Sequence, residues 1–181
     1  MQAAKAEILQ PTEENIKLCA QNILKGEIVG MPTETVYGLA ANALNLEACL
    51  KIFEYKNRPL TDPLIVHICS LEMAQKITIL DSKSEELFKI LSNKFWPGPL
   101  TIILKANLDL IDKKILANSD TVGLRFPVHE IAQKFIKECG VPIAAPSANK
   151  FCHISPVKAI HVYNDFKEFD FNEFIGENDK E

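Results

Sequence analysis

Apolar residues recur along this chain in two rhythms, one with the spacing of helices and one with the short continuous runs of buried strands. After Pro11-Thr12-Glu13-Glu14, which has the form of a capped helix start, Ile16, Cys19, Ala20, Ile23 and Leu24 make the stripe of a helix packed on one side, and Gly26 closes it. A strand over 27–31 follows. Asn45 is placed to cap a second helix with the inner stripe Leu46, Cys49, Ile52 and Phe53. Leu64-Ile65-Val66-His67-Ile68 is branched and nearly all apolar, as expected of a strand buried on both faces. A brief helix from Ser70 to Lys76 precedes a longer one, for which Ser82-Lys83-Ser84-Glu85 has the form of a capping box leading to Leu87, Phe88, Leu91 and Phe95. Trp96-Pro97-Gly98-Pro99 turns sharply into a strand over 100–104, and 106–118 reads as an irregular or briefly helical connection. A strand over 121–126 stops at Pro127. A helix from about His129 to Cys139 turns Ile131, Phe135 and Ile136 inward and ends at Gly140, and a short strand covers 142–145. The mostly acidic stretch 165–181, with Phe166, Phe169, Phe171 and Phe174 among its acids, reads as an edge strand and an acidic end.

Strands interleaved with helices favour an α/β domain over a bundle or a sandwich, and the segment 96–104 can run antiparallel to its neighbours, so a mixed, twisted sheet is expected. A chain of 181 residues with 47% hydrophobic content and no repeat or linker reads as one domain spanning 1–181. The formal charge of -4 argues against an all-over basic nucleic-acid binder but allows a local basic concavity. The five cysteines form no C-x-x-C pair, and with no secretory signal and no apolar run near the roughly 18 residues of a membrane span, a soluble cytoplasmic protein with reduced thiols is expected.

The unusual chemistry gathers between Gly30 and Leu64. Pro32 denies a strand end its backbone donor, so Thr33, Glu34 and Thr35 project from it. Lys56 and Arg58, with Pro59 biasing Arg58 toward an extended backbone, present two cations from a short stiffened loop that suits an anion, although taken singly each reads first as an ordinary solvated charge. Neither a G-x-x-x-x-G-K-[ST] loop nor a G-x-G-x-x-G fingerprint occurs, so a nucleotide would be held by scattered cations, hydroxyls and backbone groups. Ser147, in Ala-Pro-Ser-Ala-Asn, lacks the flanking glycines of a nucleophile elbow; with Asn149 it reads as an N-cap pair at a helix start, a place for simple capping or for a phosphate. His67 is either a satisfied core histidine or a ligand contact. Arg125, interrupting an apolar strand, calls for an anionic partner, which could be an internal carboxylate or a ligand. Cys152-His153, His129 and His161 do not have zinc spacing, so no metal site is assigned. Trp96 reads as a hydrophobic corner of the core.

Six stretches occur in a specific order: Pro-Thr-Glu-Thr-Val-Tyr-Gly-Leu at 32–39, Lys-x-Arg-Pro at 56–59, Pro-Leu-Ile-Val-His at 63–67, Trp-Pro-Gly-Pro-Leu-Thr at 96–101, Val-Gly-Leu-Arg-Phe-Pro-x-His at 122–129 and Ala-Pro-Ser-Ala-Asn at 145–149. In this order the chain resembles the YrdC/Sua5 (TsaC-like) family of L-threonylcarbamoyladenylate synthases, from Gly26 to about Pro156. The resemblance implies one YrdC-like α/β domain with an open twisted mixed β-sheet, flanking helices and a basic concave cleft. It implies a nucleotidyltransferase that forms threonylcarbamoyl-AMP and pyrophosphate from L-threonine, bicarbonate and ATP, with Mg2+ accompanying the nucleotide, for the N6-threonylcarbamoyladenosine at position 37 of ANN-decoding tRNAs. By similarity Lys56 and Arg58 are catalytic, neutralising phosphate and carboxylate charge; Thr35, His67 and Arg125 bind threonine; and Arg58, Asp62, Thr121, Ser147, Asn149 and Ser155 bind ATP. Implied partners are tRNA or double-stranded RNA at the basic cleft and the downstream tRNA threonylcarbamoyl-transferase proteins, with no membrane contact.

Three departures from the family pattern carry expectations. Asp62 stands where the family has Asn, which adds a negative charge beside nucleotide phosphates and weakens ATP unless a cation offsets it. The family's Ser-Gly after Asn149 is replaced by Lys150-Phe151-Cys152-His153-Ile154, so that loop is expected to sit differently. The sequence also stops before the family's Ser-Thr-Val-Val-Asp strand, from which reduced threonine affinity is expected. The alternative function is a weakly active or inactive RNA-binding module of the same fold, and a carbamoyl-transfer domain is a third reading.

Overall fold

Branched runs too short to stand alone pair into one eight-stranded mixed sheet in the computed structural model, which describes residues 7–167 and 173–175. Its strands are β1 (Glu7–Leu9), β2 (Val29–Met31), β3 (Gly38–Asn42), β4 (Ile65–His67), β5 (Thr101–Lys105), β6 (Thr121–Arg125), β7 (Ile143–Ala144) and β8 (Glu173–Ile175). They lie in the order β1-β8-β2-β3-β7-β4-β6-β5. The pair β4–β6 is parallel, while β5 runs antiparallel to β6 and β7 antiparallel to both β3 and β4, as the reading of 96–104 anticipated.

Helices α1 (Glu13–Leu24), α2 (Leu46–Lys56), α3 (Leu71–Lys76), α4 (Ser82–Phe95), α5 (Glu130–Cys139) and α6 (Ala159–Phe166) flank the sheet. Two apolar clusters hold the layers together. One joins α1 and α5 to β2, β3 and β7 through Ile16, Ile23, Met31, Ala40, Phe135 and Ile143. The larger one covers the opposite face, where Val66, Ile102, Leu104, Val122 and Leu124 meet Ile52, Phe88 and Phe166. Each fully buried Ile, Leu or Phe contributes about 1.5–3 kcal/mol of transfer free energy. Among the described residues no helix is long and apolar enough to cross a membrane.

Register positions the site. On the face occupied by α1 and α5, Ile143 pairs with His67, His67 with Arg125 and Arg125 with Thr101, so these four side chains make one row across four strands. Ile143 is buried under the α1–α5 layer, and beyond it Ile65, Thr101, Ile103 and Gly123 are open or only half-covered. The helical layer therefore ends part way across the sheet, and the step it leaves is the candidate site.

Several expectations change. The capping box opens at Asp81, whose carboxylate accepts from the amide of Ser84 at 2.8 Å while the Ser84 hydroxyl accepts from the amide of Asp81 at 2.9 Å; an acidic cap also complements the positive end of the helix dipole. Leu24, Leu87 and Phe95 are exposed rather than inward, because each helix buries a narrower stripe than the apolar count suggested. No helix starts after Asn149; its segment continues as a loop, and the helix α6 begins only at Ala159. The strand β3 was not anticipated, nor was β1, and β8 is not an edge, since β1 pairs outside it. Asp165 and Phe166 belong to α6, whereas Phe169, Phe171 and the acidic end lie outside the described residues.

Candidate active site

The turn after β2 is built by a hydroxyl. Thr33 Oγ1 donates to the carbonyl of Val36 at 2.6 Å and accepts from the amides of Thr35 and Val36, each at 3.2 Å. This folds the chain back into β3 and leaves Thr35 exposed and Glu34 half-buried at the mouth of the step. Arg125 Nη2 donates to Glu34 Oε1 at 2.6 Å and to Thr35 Oγ1 at 3.0 Å. The partner demanded by a guanidinium at a strand end is thus an internal carboxylate, and Glu34, read from sequence as projecting from the strand end without a role of its own, joins Arg125 and Thr35 in the candidate site. Burial alone would raise the Glu34 pKa, but the Arg125 hydrogen bond, its own backbone amide and the Arg125 charge hold it below the ordinary value.

His67 stands beside Arg125 in the register and is buried. Burial, reinforced by the Arg125 charge, lowers its pKa to about 4, so the imidazole is neutral near pH 7. Its Nδ1, Glu34 Oε2 and Arg125 Nε are buried with no hydrogen-bond partner among the described residues. Three unsatisfied polar atoms in one corner give the site unused capacity for a polar ligand.

Lys56 corrects the picture of two cations projecting from a loop. It is the last residue of α2, its side chain is only 1% exposed, and Asn57 in the left-handed region (φ 51°) ends the helix behind it. Its ammonium donates to the carbonyl of Ser147 at 2.6 Å and to that of Asn149. Burial, with the nearby Arg58 charge, lowers its pKa to about 8. The reason for burial is that helical phase at position 56 points inward, where Pro146-Ser147-Ala148-Asn149 presents carbonyls instead of apolar surface. An ammonium has three donors, so one remains for a ligand.

Arg58 does emerge from the loop. Its Nε donates to the carbonyl of Asp62 at 3.1 Å, and its Nη2 donates to the carbonyl of Pro63 at 2.9 Å and pairs with Asp62 Oδ2, also at 2.9 Å. The extra charge of Asp62 is therefore offset within the loop.

Ser147 forms a bridge to Gly38, and Asn149, buried, donates through Nδ2 to the carbonyls of Lys150 and His153, both at 2.8 Å. The Asn149 bonds brace the 145–156 loop internally, while the bridge at Gly38 and the Tyr37 amide donating to the Pro156 carbonyl at 2.8 Å fasten that loop to the start of β3. Thr121 lies elsewhere on the step, its hydroxyl 2.8 Å from that of Ser119, in a hollow of about 340 Å³ floored by Ile65, Thr101, Ile103 and Gly123. A Cβ on Gly123 would stand 3.2 Å from Thr101 Cγ2, so glycine keeps this floor low. Ser155 is exposed and lines a different hollow, of about 470 Å³, with Cys152, His153, His161 and Asp165. Thr35, His67 and Arg125 are thus brought together, Lys56, Ser147 and Asn149 form a second group, and Thr121 and Ser155 face separate hollows. The floor residues were missed by sequence reading, although Gly123, two residues from both Thr121 and Arg125, falls on their face of the strand.

The protein-family model described as telomere recombination (Sua5/YciO/YrdC) matches residues 21–174. The threonylcarbamoyl-AMP synthase of Bacillus subtilis is 43% identical over 157 residues, 87% of this chain and 44% of that protein. The threonylcarbamoyl-AMP synthase of Pyrococcus abyssi is 46% identical over 154 residues, 85% of this chain and 44% of that protein. A crystal structure of P. abyssi Sua5 complexed with L-threonine matches with a TM-score of 0.87 and 40% identity, covering 95% of this chain and 50% of that one. The chain thus spans less than half the length of these two curated relatives. With its ordered motifs, its mixed sheet and a family match running from the helix α1 to the strand β8, the chain belongs to the Sua5/YciO/YrdC family.

Proposed function

We propose that this chain carries the nucleotidyltransferase centre of an L-threonylcarbamoyladenylate synthase, acting on L-threonine, bicarbonate and ATP. The observation that carries the reading is the corner in which Thr35, His67 and Arg125 meet unsatisfied buried polar atoms, in a chain 40% identical to a Sua5 crystallised with L-threonine. Threonine occupies this corner; bicarbonate takes up a proton and loses water to give carbon dioxide, and the neutral amine attacks its carbon and releases a proton to solvent, leaving a carbamate. A carbamate oxygen then attacks the α-phosphorus of ATP, forming the acyl-phosphate linkage and releasing pyrophosphate. Both reactants are anions, so the work required of the protein is to bring them into line and compensate their charge, and alignment alone supplies roughly 7–11 kcal/mol.

Lys56 offers its third donor where the two anions meet, held in aim by the carbonyls of Ser147 and Asn149. Arg58 faces the phosphates from the neighbouring loop, and Thr121 with the low floor at Gly123 supports a place for the nucleoside. Magnesium would arrive with the ATP phosphates as part of the substrate and would add to their charge compensation; among the described residues no group of three or more His, Cys, Asp or Glu side chains could hold an ion. The product is a mixed anhydride that a tRNA-modifying transferase would consume in the cytoplasm.

The deciding experiment is mass spectrometry of the products formed from ATP, threonine and bicarbonate, omitting each in turn. Pyrophosphate and threonylcarbamoyl-AMP are expected only from the full mixture. Lys56→Met and Arg58→Ala are each expected to abolish release; methionine is the better choice at 56 because alanine would open a cavity at a fully buried position. RNA binding that weakens steeply with salt, with no adenylate formed from the full mixture, would favour the binding-module alternative.

A further inference from the structure

The amino-acid corner carries no net charge. Glu34 compensates Arg125 across 2.6 Å, and the buried His67 beside them is neutral. Both members of the ion pair are largely shielded, with side chains 18% and 13% exposed, so their charges are weakly screened by water. An uncompensated arginine at this place would be a carboxylate reader, since a guanidinium matches a carboxylate in geometry and charge. Paired with Glu34, the same arginine keeps hydrogen-bond donors but offers no excess positive charge. A hydroxyl suits such a corner, accepting from the guanidinium and donating to Glu34 Oε2 or His67 Nδ1, both of which lack partners among the described residues.

Shape alone does not make this choice. Threonine and aspartate differ little in side-chain volume, so discrimination by pocket size alone is weak. Repulsion between the side-chain carboxylate of aspartate and that of Glu34 supplies what fit cannot, which is specificity obtained against a competitor. We propose that Glu34 is a specificity-determining residue: by neutralising Arg125 it reserves the corner for a neutral, hydroxyl-bearing amino acid and excludes acidic ones. This inference rests on the synthase reading for the identity of the substrate, while the role of Glu34 follows from the ion pair.

The test is calorimetric titration of L-threonine and L-aspartate, with ATP present, into the unaltered chain and into Glu34→Gln. Threonine-only binding is expected of the unaltered chain. In Glu34→Gln, aspartate affinity should rise at least tenfold and threonine affinity should fall, with aspartylcarbamoyl-AMP detectable by mass as a second readout. Glu34→Ala is the second variant and should shift in the same direction. If the unaltered chain binds no threonine, the synthase reading fails and the inference with it. If threonine binds and a folded Glu34→Gln or Glu34→Ala still rejects aspartate, the inference alone is overturned. Unfolding of both variants would assign the pair to the fold and overturn it as well.

Discussion

Lys56 should take up a proton when an anionic nucleotide arrives. Its pKa of about 8 results first from burial and then from the charge of Arg58, and its two observed acceptors are neutral carbonyls. A phosphate or carbamate oxygen at its third donor would favour the charged form and return the group to the ordinary lysine range near 10.4. For one group moving from about 8 to about 10.4, uptake is about 0.1 proton per nucleotide at pH 7, about 0.5 at pH 8 and about 0.9 at pH 9. Calorimetric titration of ATP in buffers of differing ionisation enthalpy reads this directly, since observed heat varies with buffer enthalpy in proportion to protons taken up. Above pH 8 the terminal phosphate of ATP is already deprotonated and contributes little. Lys56→Met should abolish the pH-dependent part. Uptake that stays flat between pH 7 and 9 in the unaltered chain would refute the placement of Lys56 against the anion, even if the methionine variant binds no nucleotide for comparison.

The same lysine predicts a stability trend. Its pKa is lower folded than unfolded, so the unfolded chain binds more protons between about pH 8 and 10.4, and stability gains up to about 1.4 kcal/mol per pH unit there; denaturant melts of Lys56→Met should lack that rise. Asp62→Asn should tighten ATP by up to about fivefold, because the half-exposed carboxylate it removes forms a 2.9 Å pair worth at most about 1 kcal/mol with Arg58; weaker ATP binding would contradict the offset. Gly123→Val should lower ATP affinity at least about tenfold while leaving threonine binding within about twofold, since its side chain would fill the hollow beside Thr101 and not the Arg125 corner; equal losses for both ligands in titrations would separate the floor from the nucleoside.

How far the sequence could be read depended on how local each signal was. Periodic stripes located α1, α2, α4 and α5, because burial on one face is written within a few neighbouring residues, and the nearly all-apolar run around Val66 located β4; that strand is not buried on both faces as its composition suggested, since Ile65 lies exposed where the helical layer stops. The strand β3 was hidden: Gly-Leu-Ala-Ala-Asn has weak strand propensity and is a strand only because β2 and β7 flank it. Arg125 announced its need for a carboxylate, but nothing local could choose Glu34, 91 residues earlier, as the partner. Lys56 was legible as a cation and illegible as a buried one, since its acceptors are carbonyls 91 and 93 residues away and a backbone oxygen leaves no mark in composition. The loop after Asn149 was recognised as departing from the family pattern, while its fastening to β3 through the amide of Tyr37 depends on backbone groups alone.

The row from Ile143 through His67 and Arg125 to Thr101 means that the candidate site and the core share the same strands. Val66 and Leu124 lie in the core, and each is the immediate chain neighbour of a residue of the proposed threonine corner, His67 and Arg125. The corner is therefore pre-set by the packing beneath it, and little ordering is left for the moment of binding. It also follows that the core is audible at the site: a volume change at Val66 or Leu124 too small to unfold the chain would tilt His67 or Arg125 and be heard in threonine affinity before it is heard in the melting temperature.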